Sequence, residues 1–227
     1  MLPPTTIKIA KNSFEGMGHL EGERREIATT ISRRNLVRRG ILFAMGLKLG
    51  STCDVWAYTI DRVEPDERET YQLAQKGSAS GPTRILWLGV GDMKSAARED
   101  LFVVGNEVIA LDLLKPNPTD LSAARTYASQ HGYSLRFEQG DATQLIFEDE
   151  TFDAVVCSLF LCQDFDPEVV CSEIWRVLKP GGRFGFYEHI EDIDKVIVGK
   201  VFGERSVVRI QHLPENLNII AGVVRKG

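Results

Sequence analysis

The stretch RILWLGVGDMKSA, residues 84–96, reads as a short apolar strand that runs into Gly89-Val90-Gly91 and then into polar residues. A strand, a glycine turn and a helix in that order is how many α/β proteins receive a nucleotide. Two positions depart from that pattern. Trp87 stands two places before the first glycine, and Met93 stands where a third glycine would close the turn. The stretch is either a cofactor loop or a tight turn in a core, and its surroundings must decide.

Outward from it the chain alternates. Upstream, Asp66–Lys76 is a polar helix ended by the glycine-serine run GSASGPT. Downstream, residues 93–103 are expected to be a helix and EVIALDL (107–113) a second strand. NPTDLSAARTYASQHG opens on a polar cap with a proline and stops at Gly132, the signals of a helix. SLRFEQGDA is a third strand and TFDAVVCSLFL a fourth, followed by the helix DPEVVCSEIWRVLK with apolar residues at helical spacing. PGGRFGFYEHI is a proline-glycine turn into a fifth strand. Residues 192–203 read as a helix, and RSVVRIQHL and NLNIIAGVVRKG as two last strands. Strand-helix alternation requires right-handed crossovers between parallel strands. The expected fold is α/β: a Rossmann-like, doubly wound, mostly parallel sheet with an antiparallel C-terminal hairpin strand.

Composition bounds the rest. At 227 residues and 43% apolar content the chain can bury a sizeable core. The net charge of -5 gives no whole-chain reason to expect nucleic acid. That charge is uneven: residues 1–60 carry nine Lys/Arg and five Asp/Glu, against 27 and 32 in the whole chain. A basic leader or arm (1–60) joined to an acidic domain (61–227) follows. Cys53, Cys157, Cys162 and Cys171 form no CxxC pair and show no metal-like spacing, so they read as thiols in a reducing compartment, with no metal expected. No run of about 18 apolar residues is present to span a membrane.

In a doubly wound sheet, ligands bind outside the carboxyl ends of the strands. The residues there are Gly89 and Gly91 after strand one, and Asp112 after strand two, 21 residues beyond Gly91 and suited to accept ribose hydroxyls. Gly140-Asp141-Ala142 follow strand three, Cys157-Ser158 strand four, and Glu188-His189 strand five. Asp141 is a second acid able to accept from an adenine amino group. Glu188-His189 is the acid/base pair expected to face a substrate; the alternative is Glu188 capping the next helix with His189 packed beneath it.

The ordered segments LGVG, ALD, GDA, FDAVVCSLFLC and WRVLKPGGRFGFYEH resemble the class I S-adenosylmethionine-dependent methyltransferases. FDAVVCSLFLC with EIWRVLKPGGRFGFYEH looks most like the type-7 methyltransferase-like proteins, membrane-associated enzymes that methylate alkyl thiols. The resemblance implies S-adenosylmethionine as cofactor and a small-molecule methyl acceptor. By position, Gly89 and Gly91 would admit the methionine part, Asp112 the ribose, and Asp141 with the Ala142 backbone the adenine. Cys157 and Ser158 would line the floor. The family has an acid where this chain has Trp87, and Asp92 stands nearby to supply that charge. The alternatives are a cofactor-binding pseudoenzyme with a scaffold role and an NAD-dependent enzyme; NAD would want the third glycine and predicts nothing about Asp141.

Ser32-Arg33-Arg34 before Leu36-Val37, with Val55-Trp56-Ala57 beyond, resembles a twin-arginine export signal. An exported methyltransferase would be cut off from its donor. The preferred expectation is therefore an uncleaved arm in peripheral contact with a membrane through residues 30–50, in a plastid or, alternatively, the cytoplasm.

Overall fold

The computed structural model describes residues 65–76, 83–94, 96, 100–189, 192–213 and 219–227, all within the compact unit Lys48–Gly227. The expectations for the arm at 1–60, its membrane contact through residues 30–50 and Cys53 lie outside these residues.

Helix α1 (Pro65–Gln75) precedes β1 (Arg84–Leu88) and β2 (Glu107–Asp112). Then come α2 (Pro118–Gln130), β3 (Ser134–Gln139), β4 (Phe152–Ser158), α3 (Pro167–Val177) and β5 (Leu178–Glu188). A π-helix (Lys195–Phe202) and a short 3-10 turn lead to β6 (Val207–His212) and β7 (Ile220–Arg225). The seven strands lie in the order β3-β2-β1-β4-β5-β7-β6. The pairs from β3 to β5 are parallel, and β7 runs antiparallel between β5 and β6. The expected doubly wound sheet with an antiparallel C-terminal hairpin is the fold observed.

Alternation within the strands divides the core. Leu86, Leu88, Ile109, Leu111, Phe152, Val155 and Cys157 face α3 and the π-helix. Ile85, Trp87, Val108, Ala110, Ala154 and Val156 face the other side, with Tyr71 of α1 and Ala124 and Ala128 of α2. A sheet covered on both faces needs near-continuous apolar strands, which is why ILWL and AVVC carry no polar alternation. Each fully buried Leu, Ile or Phe contributes about 1.5–3 kcal/mol.

The two best-signalled helices form as read. Asn117 accepts the Thr119 N–H at 2.8 Å and Asp166 the Glu168 N–H at 2.9 Å, each ahead of a proline at the first helical position.

Three expectations are corrected. No α-helix forms over 93–103 among the described residues. Met93 has φ 61, outside the helical region. Buried Gln75 also captures backbone groups that a helix would use: its Nε2 donates to the Leu101 carbonyl at 2.8 Å and its Oε1 accepts the Val103 N–H at 3.0 Å. Secondly, the PGG turn does not precede β5 but bulges inside it. Leu178 pairs with Phe152 and Arg183 with Ala154, so the residues between loop out, with Gly181 at φ 79. Thirdly, the helix expected at 192–203 is wound as a π-helix over Lys195–Phe202.

Candidate active site

The register brings the carboxyl ends of β1 to β5 to one edge of the sheet. Leu88 lies beside Leu111 and Cys157, Asp112 beside Gln139, and Ser158 beside Tyr187. The winding reverses between β1 and β4, the place where such sheets bind ligands.

The loop after β1 is held by Asp112. This carboxylate is 1% exposed, and its Oδ2 accepts the Gly91 N–H at 3.0 Å while Oδ1 accepts the Leu114 N–H at 2.8 Å. Gly91 has φ 60, and a Cβ added there would meet nothing within 4 Å among the described residues. The backbone at Gly91 therefore borders open space beside a buried acid. Gly89 differs. At φ 68, a Cβ there would collide with the Phe160 ring, so its glycine makes room for the loop after β4.

Met93 turns out to need the conformation that a third glycine would supply, since it sits at φ 61. A side chain in that region costs roughly 1–2 kcal/mol. Here the side chain is fully buried among Trp87, Val90 and Leu101, which offsets the strain. Trp87 itself is turned away from the strand-end edge into the α1/α2 face, 5.4 Å centroid to centroid from Phe102. The family's acid is thus replaced by a core aromatic. Asp92 is half-exposed and engaged locally: Oδ1 accepts the Lys94 N–H at 3.1 Å and Oδ2 lies 3.0 Å from Lys94 Nζ.

After β3, Asp141 is exposed and its Oδ1 accepts from Thr143 N at 2.8 Å and Thr143 Oγ1 at 2.7 Å, while Ala142 is buried. The second carboxylate oxygen of Asp141 faces no partner in these two bonds, which leaves capacity for a ligand amino group.

At β4 and β5, Glu188 is fully buried and does not cap the following helix. Its Oε1 accepts the N–H of Phe160 at 2.9 Å and of Leu161 at 3.1 Å, and the Cys157 Sγ lies 3.4 Å away. It braces a loop in which Leu159 is held at φ 47. Burial pushes the Glu188 carboxyl up to about 7 despite those donors, and pushes the Cys157 thiol well above its ordinary range. His189 is half-buried, with its pKa lowered by burial. Ser158 is half-buried at the end of β4. All ten residues singled out in the sequence thus lie at or just beyond the carboxyl ends of the strands they were assigned to. What the sequence missed is Cys162: it converges with Glu188 and His189, one ligand atom of each within 4.8 Å of the others. Only the pairing of β4 with β5 brings positions 162 and 188 together.

The sheet order and the residues at the strand ends agree with a class I S-adenosylmethionine-dependent methyltransferase domain. Residues 87–186 match the family model described as "Methyltransferase domain". The cofactor that this family and fold imply is S-adenosylmethionine. The open backbone at Gly91 beside buried Asp112 fits its methionine and ribose parts.

Among curated proteins, the chain is 36% identical over 117 residues to a demethylmenaquinone methyltransferase of Deinococcus radiodurans, covering 51% of this chain and 46% of the relative. It is 33% identical over 138 residues to a thiol S-methyltransferase of Homo sapiens, covering 58% and 53%. The chain thus spans about half the length of these relatives. A solved structure of MccD protein shares the fold, with a TM-score of 0.51 at 14% identity, covering 74% of this chain and 100% of that one.

Proposed function

We propose that the protein transfers a methyl group from S-adenosylmethionine to a small nucleophilic acceptor, with a thiol as the acceptor class. The observation that carries the reading is the Gly91–Asp112 cradle at the switch point of the sheet, within a matched methyltransferase domain. When bound, the sulfonium supplies an electrophilic methyl group. The chain's own part is then to bind, to orient and to keep water out. Asp112 accepts from ribose hydroxyls, Asp141 from the adenine amino group, and the Gly91 backbone lies along the methionine part. Cys157 and Ser158 form the floor. Glu188 and His189, at the end of β5, stand on the acceptor side.

The thiol assignment is supported by the resemblance in 152–189 and by the human thiol S-methyltransferase, which is similar over more of this chain than the quinone enzyme is. A cofactor-binding pseudoenzyme is the second reading, favoured by the core aromatic Trp87 where the family has an acid. Calorimetric titration with S-adenosylmethionine, S-adenosylhomocysteine and NAD, followed by methyl transfer to small thiols and quinols, tests both. Binding with transfer to thiols supports the main reading. Binding with no transfer leaves the pseudoenzyme, and binding of NAD alone overturns both.

We also propose that residues 1–60 are a basic arm ahead of the 61–227 domain, contacting an anionic membrane through 30–50. This rests on their charge and on Arg33, Arg34, Arg38 and Arg39 beside Ile41, Leu42 and Phe43. Plastid or cytoplasmic placement would keep the arm on the donor-containing side. Among the described residues no helix is long and apolar enough to cross a membrane. N-terminal sequencing of the mature protein and flotation with anionic vesicles test the arm; a chain beginning at Tyr58 would favour export.

A further inference from the structure

Cys162, Glu188 and His189 present a thiol, a carboxylate and an imidazole whose ligand atoms all lie within 4.8 Å of one another. Two of these side chains carry unanswered polar atoms. Glu188 is fully buried, its Oε1 is used by the Phe160 and Leu161 amides, and its Oε2 has no hydrogen-bond partner. His189 Nδ1 is likewise buried without one. Two such atoms are costly to bury, and native folds rarely keep them without a reason.

We propose that Cys162, Glu188 and His189 bind a divalent metal ion of the zinc class. One cation would answer Glu188 Oε2 and His189 Nδ1 together. The donor set of sulfur, nitrogen and one oxygen suits zinc and excludes the all-oxygen preference of magnesium and calcium. Ligand bonds of about 2.0–2.3 Å put tetrahedral neighbours roughly 3.3–3.8 Å apart, so closure from the present spacing needs about 1 Å of side-chain movement. Cys162 lies on the loop after β4, and turning its thiol onto the ion would exchange its long contacts with the Leu159 carbonyl and Gln163 Nε2 for a metal bond. The Phe160 and Leu161 amides on Oε1 would fix the carboxylate from outside the coordination shell. On binding, the Cys162 thiol releases its proton to solvent and ligates as thiolate.

Three protein ligands leave a fourth position open, as in catalytic zinc sites. An acceptor thiol could take it, losing its proton to water; its sulfur lone pair then forms the new S–CH3 bond as the sulfonium C–S bond breaks, leaving a neutral thioether. This use of the site rests on the thiol reading above, so metal binding is measured without acceptor or donor.

The reduced full-length protein, stripped with chelator and dialysed, is titrated with Co2+ by absorbance and with Zn2+ by calorimetry. The expected result is one ion per chain with a thiolate-to-cobalt charge-transfer band. That band disappears in Cys162→Ala, and affinity falls at least about tenfold in His189→Ala, with circular dichroism unchanged. Should Cys162→Ala misfold, zinc protection of Cys162 from alkylation in the wild type replaces it. No stoichiometric binding, no protection, or equal binding in both variants overturns the site. Metal binding without thiol methylation would leave the site standing and remove the thiol reading, and the converse would remove the site alone.

Discussion

Asp112 at the end of β2 accepts the backbone N–H of Gly91 through Oδ2 at 3.0 Å, so one buried carboxylate ties the loop after β1 to the end of β2. The same group holds Leu114 through Oδ1.

Asp112→Ala should weaken S-adenosylhomocysteine binding by about 1–3 kcal/mol, the range for hydrogen bonds to a charged group. Calorimetry alongside a thermal melt separates this from loop disorder. Wild-type affinity in a folded Asp112→Ala protein would remove Asp112 from the site. Asp141→Ala, on an exposed turn, should cost less.

Trp87→Asp restores the acid that the family has at this position. Because the side chain lies against Phe102 in the α1/α2 core, the change should destabilise the domain by about 3–5 kcal/mol, the scale of deleting a buried aromatic. It should give no gain in cofactor affinity. A folded variant that binds tighter would show that position 87 reaches the cradle after all.

Gln75→Leu removes four hydrogen-bonding contacts at once: to the Tyr71 and Leu101 carbonyls, the Val103 amide and Asn106 Nδ2. The buried partners left behind should cost about 1–3 kcal/mol each where water cannot reach them. Urea denaturation measures the loss. Stability unchanged within 0.5 kcal/mol (about the noise for surface sites) would mean that the 100–106 loop holds itself.

Glu188 sets a pH dependence in the metal-free protein, measured with chelator present. Its carboxyl is raised from 4.5 to about 7 by burial, so the folded state binds the proton more tightly than the unfolded one. The contribution is therefore complete below about pH 4.5 and is lost as pH rises to about 7. At 1.36 kcal/mol per unit the upper bound is roughly 3 kcal/mol. Glu188→Gln keeps an acceptor for Phe160 and Leu161, so it should flatten stability across that window. An unchanged slope would show that another group titrates there.

Much of the fold was legible because its signals are local. The apolar runs ILWL and AVVC, and the proline-opened, side-chain-capped helices at Asn117 and Asp166, depend on neighbours within a few residues. The failures have a common cause. Among the described residues of 93–103 the chain leaves the expected helix, held from afar by Gln75, which sits 26 residues before the carbonyl that it captures at Leu101. The Pro-Gly turn became a bulge because β4 was already paired with Leu178.

The sequence by itself determined the alternation of strands and helices, and with it the edge where Gly91, Asp112, Asp141 and Glu188 had to emerge. Only the tertiary structure decided what those residues touch. Whether Trp87 faces the cradle or the core depends on which face of β1 meets α1. Whether Glu188 caps a helix or braces the loop at Phe160 depends on β5 lying beside β4. The union of Cys162 with Glu188 and His189 follows from that same pairing. Strand periodicity fixes which side chains share a face, but contact between strand ends far apart in sequence arises only when the sheet is assembled.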